Sequence, residues 1–365
     1  MIDVNLTKIT LVIPTYERPT FALRNMKYWS NKGVCVRVVD GSKCPIEEGL
    51  LKSFGNNIIY KHDPRSSNER IASIIPEIDT KYTALMGDDE FYIPSALSSC
   101  IEELENDILL TSCFGRCIWF NASGDALKVY DAYQGMRNYS VQHNSPDDRV
   151  LYHMKNYQPS MIYSVMRTDV WKKSISCMDN EQYQVFALEE LQFEIASSYL
   201  GKSKVLPVLL WMRSGENTGI DNKGEVVKIH SWWKDSFNNE LREKMLNNLT
   251  ISIVTNHNKA NKIHVKALIV KAFELFISRE KVRLPIKSMI IFQIARLLSM
   301  LPKAIKNVIK KQSHEAYYNL QNFKKIDSIA KKFEIEGVYV DLKELKNIEN
   351  LIINFHDSLS VQDHK

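Results

Sequence analysis

The chain has 365 residues, enough for one large domain with an appendage or for two domains. Hydrophobic residues make up 44% and charged residues 25%, which excludes a disordered or low-complexity polypeptide. The net charge of +5 suits a phosphate-bearing substrate or an anionic membrane surface but is too small to demand either, and no nucleic-acid partner is expected.

The first half alternates strands and helices. Ile9–Ile13 is an apolar run closed by Pro14, and Pro19–Asn31 reads as a helix. Val34–Val39 is a β-branched strand stopped by Asp40-Gly41-Ser42, and Ile58-Ile59-Tyr60 is a third strand. Ser67–Ile78 is helical. Tyr82–Met86 is a fourth strand that runs into Gly87-Asp88-Asp89-Glu90-Phe91, with a helix from Pro94 to Leu104 behind it. This repetition predicts an α/β fold with a mostly parallel sheet and flanking helices. Ligands bind such sheets beyond the carboxyl ends of the strands, where Pro14-Thr15, Asp40-Gly41 and Asp88-Asp89 all fall.

From about Leu109 to Arg213 the pattern is mixed. Leu188–Leu200 reads as a helix stopped by Gly201, and Val205–Met212 as a strand. Beyond about residue 235 the chain turns to long helical patterns rich in Lys, Asn and Ile, which divides it into a catalytic domain over 1–235 and a helical C-terminal extension over 236–365. Within that extension Ile290, Ile294, Leu297, Leu298, Leu301, Ile305 and Val308 fall on one side of a helix and Arg296, Lys303, Lys306 and Lys310 on the other. Such a basic amphipathic segment, Ile290–Lys311, is either a helix packed on the domain or a peripheral membrane contact.

The six cysteines, Cys35, Cys44, Cys100, Cys113, Cys117 and Cys177, include no CxxC pair, so zinc is not expected and reduced, mostly buried thiols are. Met1–Thr10 lacks the apolar core of a signal peptide, and no run of ~18 apolar residues is present. These readings point to the cytoplasm, with room for the inner face of the membrane.

Adjacent carboxylates at Asp88, Asp89 and Glu90 repel one another unless a cation or a basic partner stands by. Mg²⁺ and Mn²⁺ take one or two carboxylates together with substrate phosphates, which this turn offers. An acidic loop capping the next helix is the plainer alternative.

Three motifs occur in order: Leu11-Val12-Ile13-Pro14-Thr15-Tyr16-Glu17-Arg18-Pro19, then Val38-Val39-Asp40-Gly41-Ser42, then Gly87-Asp88-Asp89-Glu90-Phe91. The series resembles the N-terminal half of family-2-like glycosyltransferases with the GT-A fold. More narrowly, it resembles a bacterial subgroup associated with surface polysaccharides such as capsule or O-antigen, whose acidic motif is usually Asp-Asp-Asp-Phe; here the third acid is Glu90. The resemblance implies that Pro14, Thr15, Tyr16 and Glu17 line the nucleotide, that Asp40 bonds the base, and that Asp88 approaches the ribose or the metal. It also implies that Asp89 is the principal ligand of Mg²⁺ or Mn²⁺, with Glu90 beside it. A second match is Glu189-Glu190 opening a helix that ends at Gly201, with Glu190 where the family carries its catalytic Asp. A base there would take the proton of an acceptor hydroxyl.

Supporting candidates are Arg70 and Arg213 for the donor diphosphate, His230 for the metal shell, and Trp232-Trp233 and Tyr163 as stacking surfaces for an acceptor sugar. Each has a structural alternative: a surface arginine, a solvated histidine, a packed aromatic. The expected activity is metal-dependent, base-assisted inverting transfer of a sugar from a nucleotide-diphosphate donor to a hydroxyl of a polysaccharide or lipid-linked glycan. The rivals are a nucleotidyltransferase on a related sheet and a non-catalytic glycan- or partner-binding module. Pro14–Pro19 is not the glycine-rich phosphate loop that the first rival requires.

Overall fold

The computed structural model describes residues 4–123, 126–178, 183, 185, 188–216, 227–257, 260–282 and 323–362. The segment Ile290–Lys311, and Asn217 after the last strand, lie outside the described residues.

The first half forms the expected elements: β1 (Ile9–Thr15), α1 (Pro19–Trp29), β2 (Cys35–Asp40), a short α2 (Glu48–Leu51), β3 (Ile58–His62), α3 (Ser67–Ser73) and β4 (Tyr82–Leu85). Pro19 opens α1, where its missing N–H costs no hydrogen bond. A reciprocal cap between Ser66 and Glu69 starts α3. The helix read from Ser67 to Ile78 is shorter than expected, because after Ser73 the chain tightens into a 3₁₀ turn at Ile75–Glu77 around Pro76.

Beyond the acidic turn come β5 (Phe91–Tyr92), α4 (Pro94–Asn106), β6 (Leu110–Ser123), β7 (Ala126–Ala132), β8 (Ser140–Val141), α5 (Pro146–Lys155), β9 (Val165–Arg167), α6 (Thr168–Ile175), α7 (Leu188–Leu200) and β10 (Lys202–Ser214). The described C-terminal helices are α8 (Ile229–Lys234), α9 (Asn239–Asn256), α10 (Lys262–Val282), α11 (Ile326–Ile335) and α12 (Leu342–Gln362).

The described strands form one sheet in the order β3-β2-β1-β4-β9-β6-β10-β5, with β7 on β6 and β8 on β10. The parallel reading holds for β3-β2-β1-β4 and again for β6 and β10. The short β9 runs antiparallel to both β4 and β6 and joins the two parallel blocks. The register sets Thr15 beside Asp40 and Asp40 beside His62, so the polar ends of the first three strands share one edge.

Two apolar cores flank the polar edge. One unites the sheet with α1, α4, α6, α11 and α12. The other lies among α5, α7, α8, α9 and α10. Helix α7 serves both, with Phe193 in the first and Leu191 and Ile195 in the second. The basis is helical spacing: residues on opposite faces of one helix meet different partners. Among the described residues no helix is long and apolar enough to cross a membrane.

Candidate active site

The acidic turn is built from backbone inward. The amide of Met86 donates to the Val12 carbonyl, and Glu90 N–H closes the turn onto Gly87 at 3.3 Å. Asn25, buried on α1, donates its side-chain amide to the carbonyls of Asp88 (3.2 Å) and Glu90 (2.8 Å). Arg24, the next residue on that helix, donates to the Asp89 carbonyl at 3.1 Å. One turn of α1 therefore fixes three consecutive peptides of the loop.

Asp88 is fully buried. Thr15 Oγ1 donates to its Oδ2 at 2.6 Å, and the Arg18 guanidinium donates to its Oδ1. The same guanidinium lies 3.7 Å from Asp89 Oδ2. Burial pushes the Asp88 carboxyl up to about 6; Arg18 pulls against this and the Asp89 charge adds to it. Sequence reasoning quoted Arg18 within its motif and gave it no role. The signal was a cation at the end of β1, facing an acid pair at the end of β4.

Glu90 behaves differently from its neighbours. Its Oε2 accepts from the Trp211 indole N–H at 3.0 Å and from the Gly87 amide at 3.4 Å, and its Oε1 lies 4.0 Å from Arg213. The longer glutamate arm makes this fold-back possible. So does Gly87, where an added Cβ would sit 3.1 Å from the Glu90 carboxyl carbon. Burial first, and the Asp89 charge second, push Glu90 up to about 8 against the pull of Arg213.

On the strand edge, Asp40 accepts from the Ser42 amide (2.8 Å) and from the Tyr60 hydroxyl (2.6 Å). Glu17 holds a left-handed backbone with φ 54, fixed by its amide on Ser42 Oγ and by its carboxylate accepting from the Lys43 amide. Arg70 is buried against Gly41, where a Cβ would come within 2.3 Å of its Nη1. Its charge faces Asp40, Asp63, Tyr16 and Asp88, and burial lowers its pKa. Its Nε is buried without a hydrogen-bond partner. Tyr16 is 47% exposed above it. Pro14, Thr15, Tyr16, Glu17, Asp40, Arg70 and Asp88 thus lie along one edge.

Searches against protein-family models and against curated proteins find no match. Among solved structures the chain is similar to S. aureus TarS 1-349 in complex with UDP-GlcNAc, at 12% identity and a TM-score of 0.50, covering 77% of each chain. It is also similar to TarS 1-349 alone, at 12% identity and a TM-score of 0.49, over 76% of this chain and 74% of that one. The chain has a GT-A-like glycosyltransferase fold. The helical C-terminal part belongs to the same description.

In this GT-A-like fold a second carboxylate group opens α7. The Tyr157 hydroxyl donates to Glu190, with Glu189 half-buried beside it on the first turn. Burial pushes Glu190 up to about 7; Tyr157 pulls back and Glu194 pushes further. Tyr163 feels both groups: burial and the charges of both Glu190 and Glu90 raise its pKa. Its ring stacks on Trp211 at 4.5 Å, and Trp211 stacks in turn on Tyr133 at 5.9 Å. Behind Glu190, Glu194 accepts from His153 Nε2 (2.7 Å) and from the amides of Met161 (3.2 Å) and Ile162 (3.1 Å), while Tyr139 meets His153 Nδ1 at 2.6 Å. This fully buried network fixes the floor under Glu190 and was not legible in the sequence.

Among the described residues no three His, Cys, Asp or Glu side chains form a metal-holding group, and Glu90 and His230, expected beside Asp89, have other neighbours. Glu90 is engaged by Trp211 and Gly87, and His230 sits on α8 with Ser231 Oγ at 3.3 Å. Trp232 and Trp233 are no acceptor platform: Trp232 packs in the helical core and Trp233 stacks on Phe273 at 4.8 Å. Arg213 lies over Trp119, Tyr133 and Trp211 and near Glu90, on the Tyr163 side of the site.

The Asp88–Asp89 pair itself suits a divalent cation. Two carboxylates converge on one positive centre, which the Arg18 guanidinium fills. Two carboxylate oxygens completed by phosphate oxygens and water is an ordinary shell for Mg²⁺ or Mn²⁺.

Proposed function

We propose that this chain is a glycosyltransferase that moves a sugar from a nucleotide-diphosphate donor to a hydroxyl of a polysaccharide or lipid-linked glycan, with inversion. The observation that carries the reading is that the Tyr163 ring, stacked on the Trp211 that donates to Glu90, also feels the charge of Glu190. One side offers anchors for a nucleotide and its diphosphate; the other offers a carboxyl poised near neutrality. The GT-A-like fold supports the same reading, and TarS 1-349 has been crystallised with UDP-GlcNAc.

In this reading Asp40 and Tyr16 bind the nucleoside, and Arg70 lends its positive charge to the donor side. Asp89, with Asp88, would hold Mg²⁺ or Mn²⁺, which when bound neutralises charge on the leaving diphosphate. Glu190 accepts the acceptor hydroxyl proton as that oxygen bonds to the anomeric carbon and the bond from carbon to phosphate oxygen breaks. A base with a value near 7 matches that task at neutral pH. Glu189 shapes the entry to it. A single base and no attacking side chain gives inversion. The six thiols, none of them disulfide-bonded, support a cytoplasmic setting.

The test is release of nucleoside diphosphate from a panel of nucleotide sugars with an oligosaccharide acceptor and Mn²⁺. Transfer by the parent chain and its loss in both Glu190→Gln and Asp89→Ala support the reading. Equal turnover in all three proteins refutes it.

A further inference from the structure

We propose that Arg18 is an exchangeable counter-ion, which holds the Asp88–Asp89 pair until a divalent cation takes its place and then moves onto the donor diphosphate. This rests on the reading of the same site as a metal and nucleotide-diphosphate site.

Arg18 differs from the two nearby arginines on helices α1 and α3. Arg24 is locked: it pairs with Glu216 at 2.7 Å, donates to the Asp89 carbonyl, and lies within 4.7–5.3 Å of the ring centres of Phe21, Phe91 and Phe355. Arg70 is buried and donates Nη1 to the Arg65 carbonyl at 3.1 Å. The Arg18 side chain is 36% exposed, and its guanidinium binds the two carboxylates of the turn. Its backbone is nevertheless anchored. Glu17 before it is pinned to Ser42 and Lys43, and its own carbonyl accepts from Ala22 at 3.2 Å. The head group is therefore free to swing on a fixed stem.

Charge gives the exchange its direction. Both carboxylates of the turn meet the Arg18 guanidinium in a pocket where Asp88 has no exposure at all, and the charge of Arg70 also reaches Asp88. A divalent ion brings twice the charge of the guanidinium to the same carboxylates, and a guanidinium fork released beside a diphosphate has a better-matched partner there. Arg18 and a metal then compete for one position, while Arg18 and the diphosphate cooperate.

The experiment is calorimetric titration of the full chain with Mn²⁺ alone and then, at saturating Mn²⁺, with UDP. It compares the parent with Arg18→Met, which keeps the stem and drops the charge, and Arg18→Lys, which keeps the charge and drops the fork. The expectation is opposite shifts in Arg18→Met: Mn²⁺ binds roughly 5–10-fold tighter and UDP roughly tenfold weaker, on the scale of ordinary site coupling. Arg18→Lys should fall between. Asp89→Asn in the Arg18→Met background should abolish the gain, tying it to the pair, and circular dichroism checks that each variant is folded. Unchanged or weaker Mn²⁺ binding in folded Arg18→Met overturns the inference, even where the parent binds UDP and transfers sugar. Failure of the parent to bind any nucleoside diphosphate overturns the functional reading beneath it.

Discussion

The acidic turn and the first turn of α7 both bury carboxylates, yet they manage the charge in opposite ways. Asp88 and Asp89 face the Arg18 guanidinium, and Thr15 adds a hydroxyl donor. Glu190 meets a tyrosine hydroxyl and the negative Glu194, and Tyr163 feels both it and Glu90. The first region balances its negative charge with a guanidinium. The second makes ionisation costly and so holds a proton near neutral pH. Glu90 belongs to the turn by sequence and to the second region by electrostatics, because its arm reaches Trp211.

Removing the proton carrier should have the largest effect. Glu190→Gln keeps the shape and the Tyr157 contact, so the rate of transfer should drop by about 10²–10⁴-fold, the usual worth of a positioned acid or base. UDP affinity, measured by calorimetry, should stay within about twofold. A matching loss of UDP affinity would erase the distinction between the regions. Asp89→Ala tests the other side. Mn²⁺-dependent UDP binding should weaken by roughly 10–100-fold, the scale of disturbing a metal ligand's support, while the pH dependence of any residual transfer keeps its acid limb from Glu190.

The next effect is on stability. Asp88, Glu90 and Glu190 stand at about 6, 8 and 7 in the folded chain, against roughly 4 for unperturbed carboxyls. Between those limits the folded state binds more protons than the unfolded state, so raising the pH removes stability. The metal-free protein should therefore melt highest near pH 5 and lose Tm steadily toward pH 8, by differential scanning calorimetry. Glu90→Gln should flatten the upper part of that slope. A Tm that rises from pH 5 to 8 would show that the second region does not hold its protons.

The smallest effect probes a contact away from both regions. Glu344 on α12 accepts from the amide (2.9 Å) and the hydroxyl (2.8 Å) of Ser95 and so caps α4. Glu344→Ala should cost about 1 kcal/mol, a typical helix cap, lowering Tm by a few degrees with UDP affinity unchanged. A change in UDP affinity would mean that the polar edge is not electrostatically self-contained.

Much of the first half was legible because its signals are local. β-Branched runs ending in Pro14, Asp40 and Gly87 gave β1, β2 and β4, and those ends gave the polar edge. Pro94 and Gly201 marked where α4 starts and α7 stops. The middle was not legible, because β6 carries Arg116 and Asn121 along a strand and hides the first by pairing it with Asp131 at 2.9 Å. A charge satisfied within a sheet breaks the alternation on which strand reading depends. β9, at three residues, is too short to carry a period. The roles of Arg18 and Glu90 were hidden for another reason: their partners lie 70 and 121 residues away, and no local pattern encodes such a pairing. The helical character of the C-terminal part was readable, but its return to the sheet through α11 and α12 was not. An apolar stripe announces that a partner exists without naming it.

That return has a consequence for how the site comes into being. Phe355 of α12 packs at a tilt against Phe21 of α1 at 5.3 Å and covers the Arg24 guanidinium, while His356 binds the Glu216 carboxylate that pairs with Arg24. The brace behind Asp89 thus joins the first helix of the fold to the last one described. During synthesis β1–β4 emerge early and can pair, yet Arg24 stays wet and unbraced until α12 has left the ribosome. The polar edge is written first and finished last, so a proteolytic cut before α12 would loosen it while leaving every residue of the acidic turn in place.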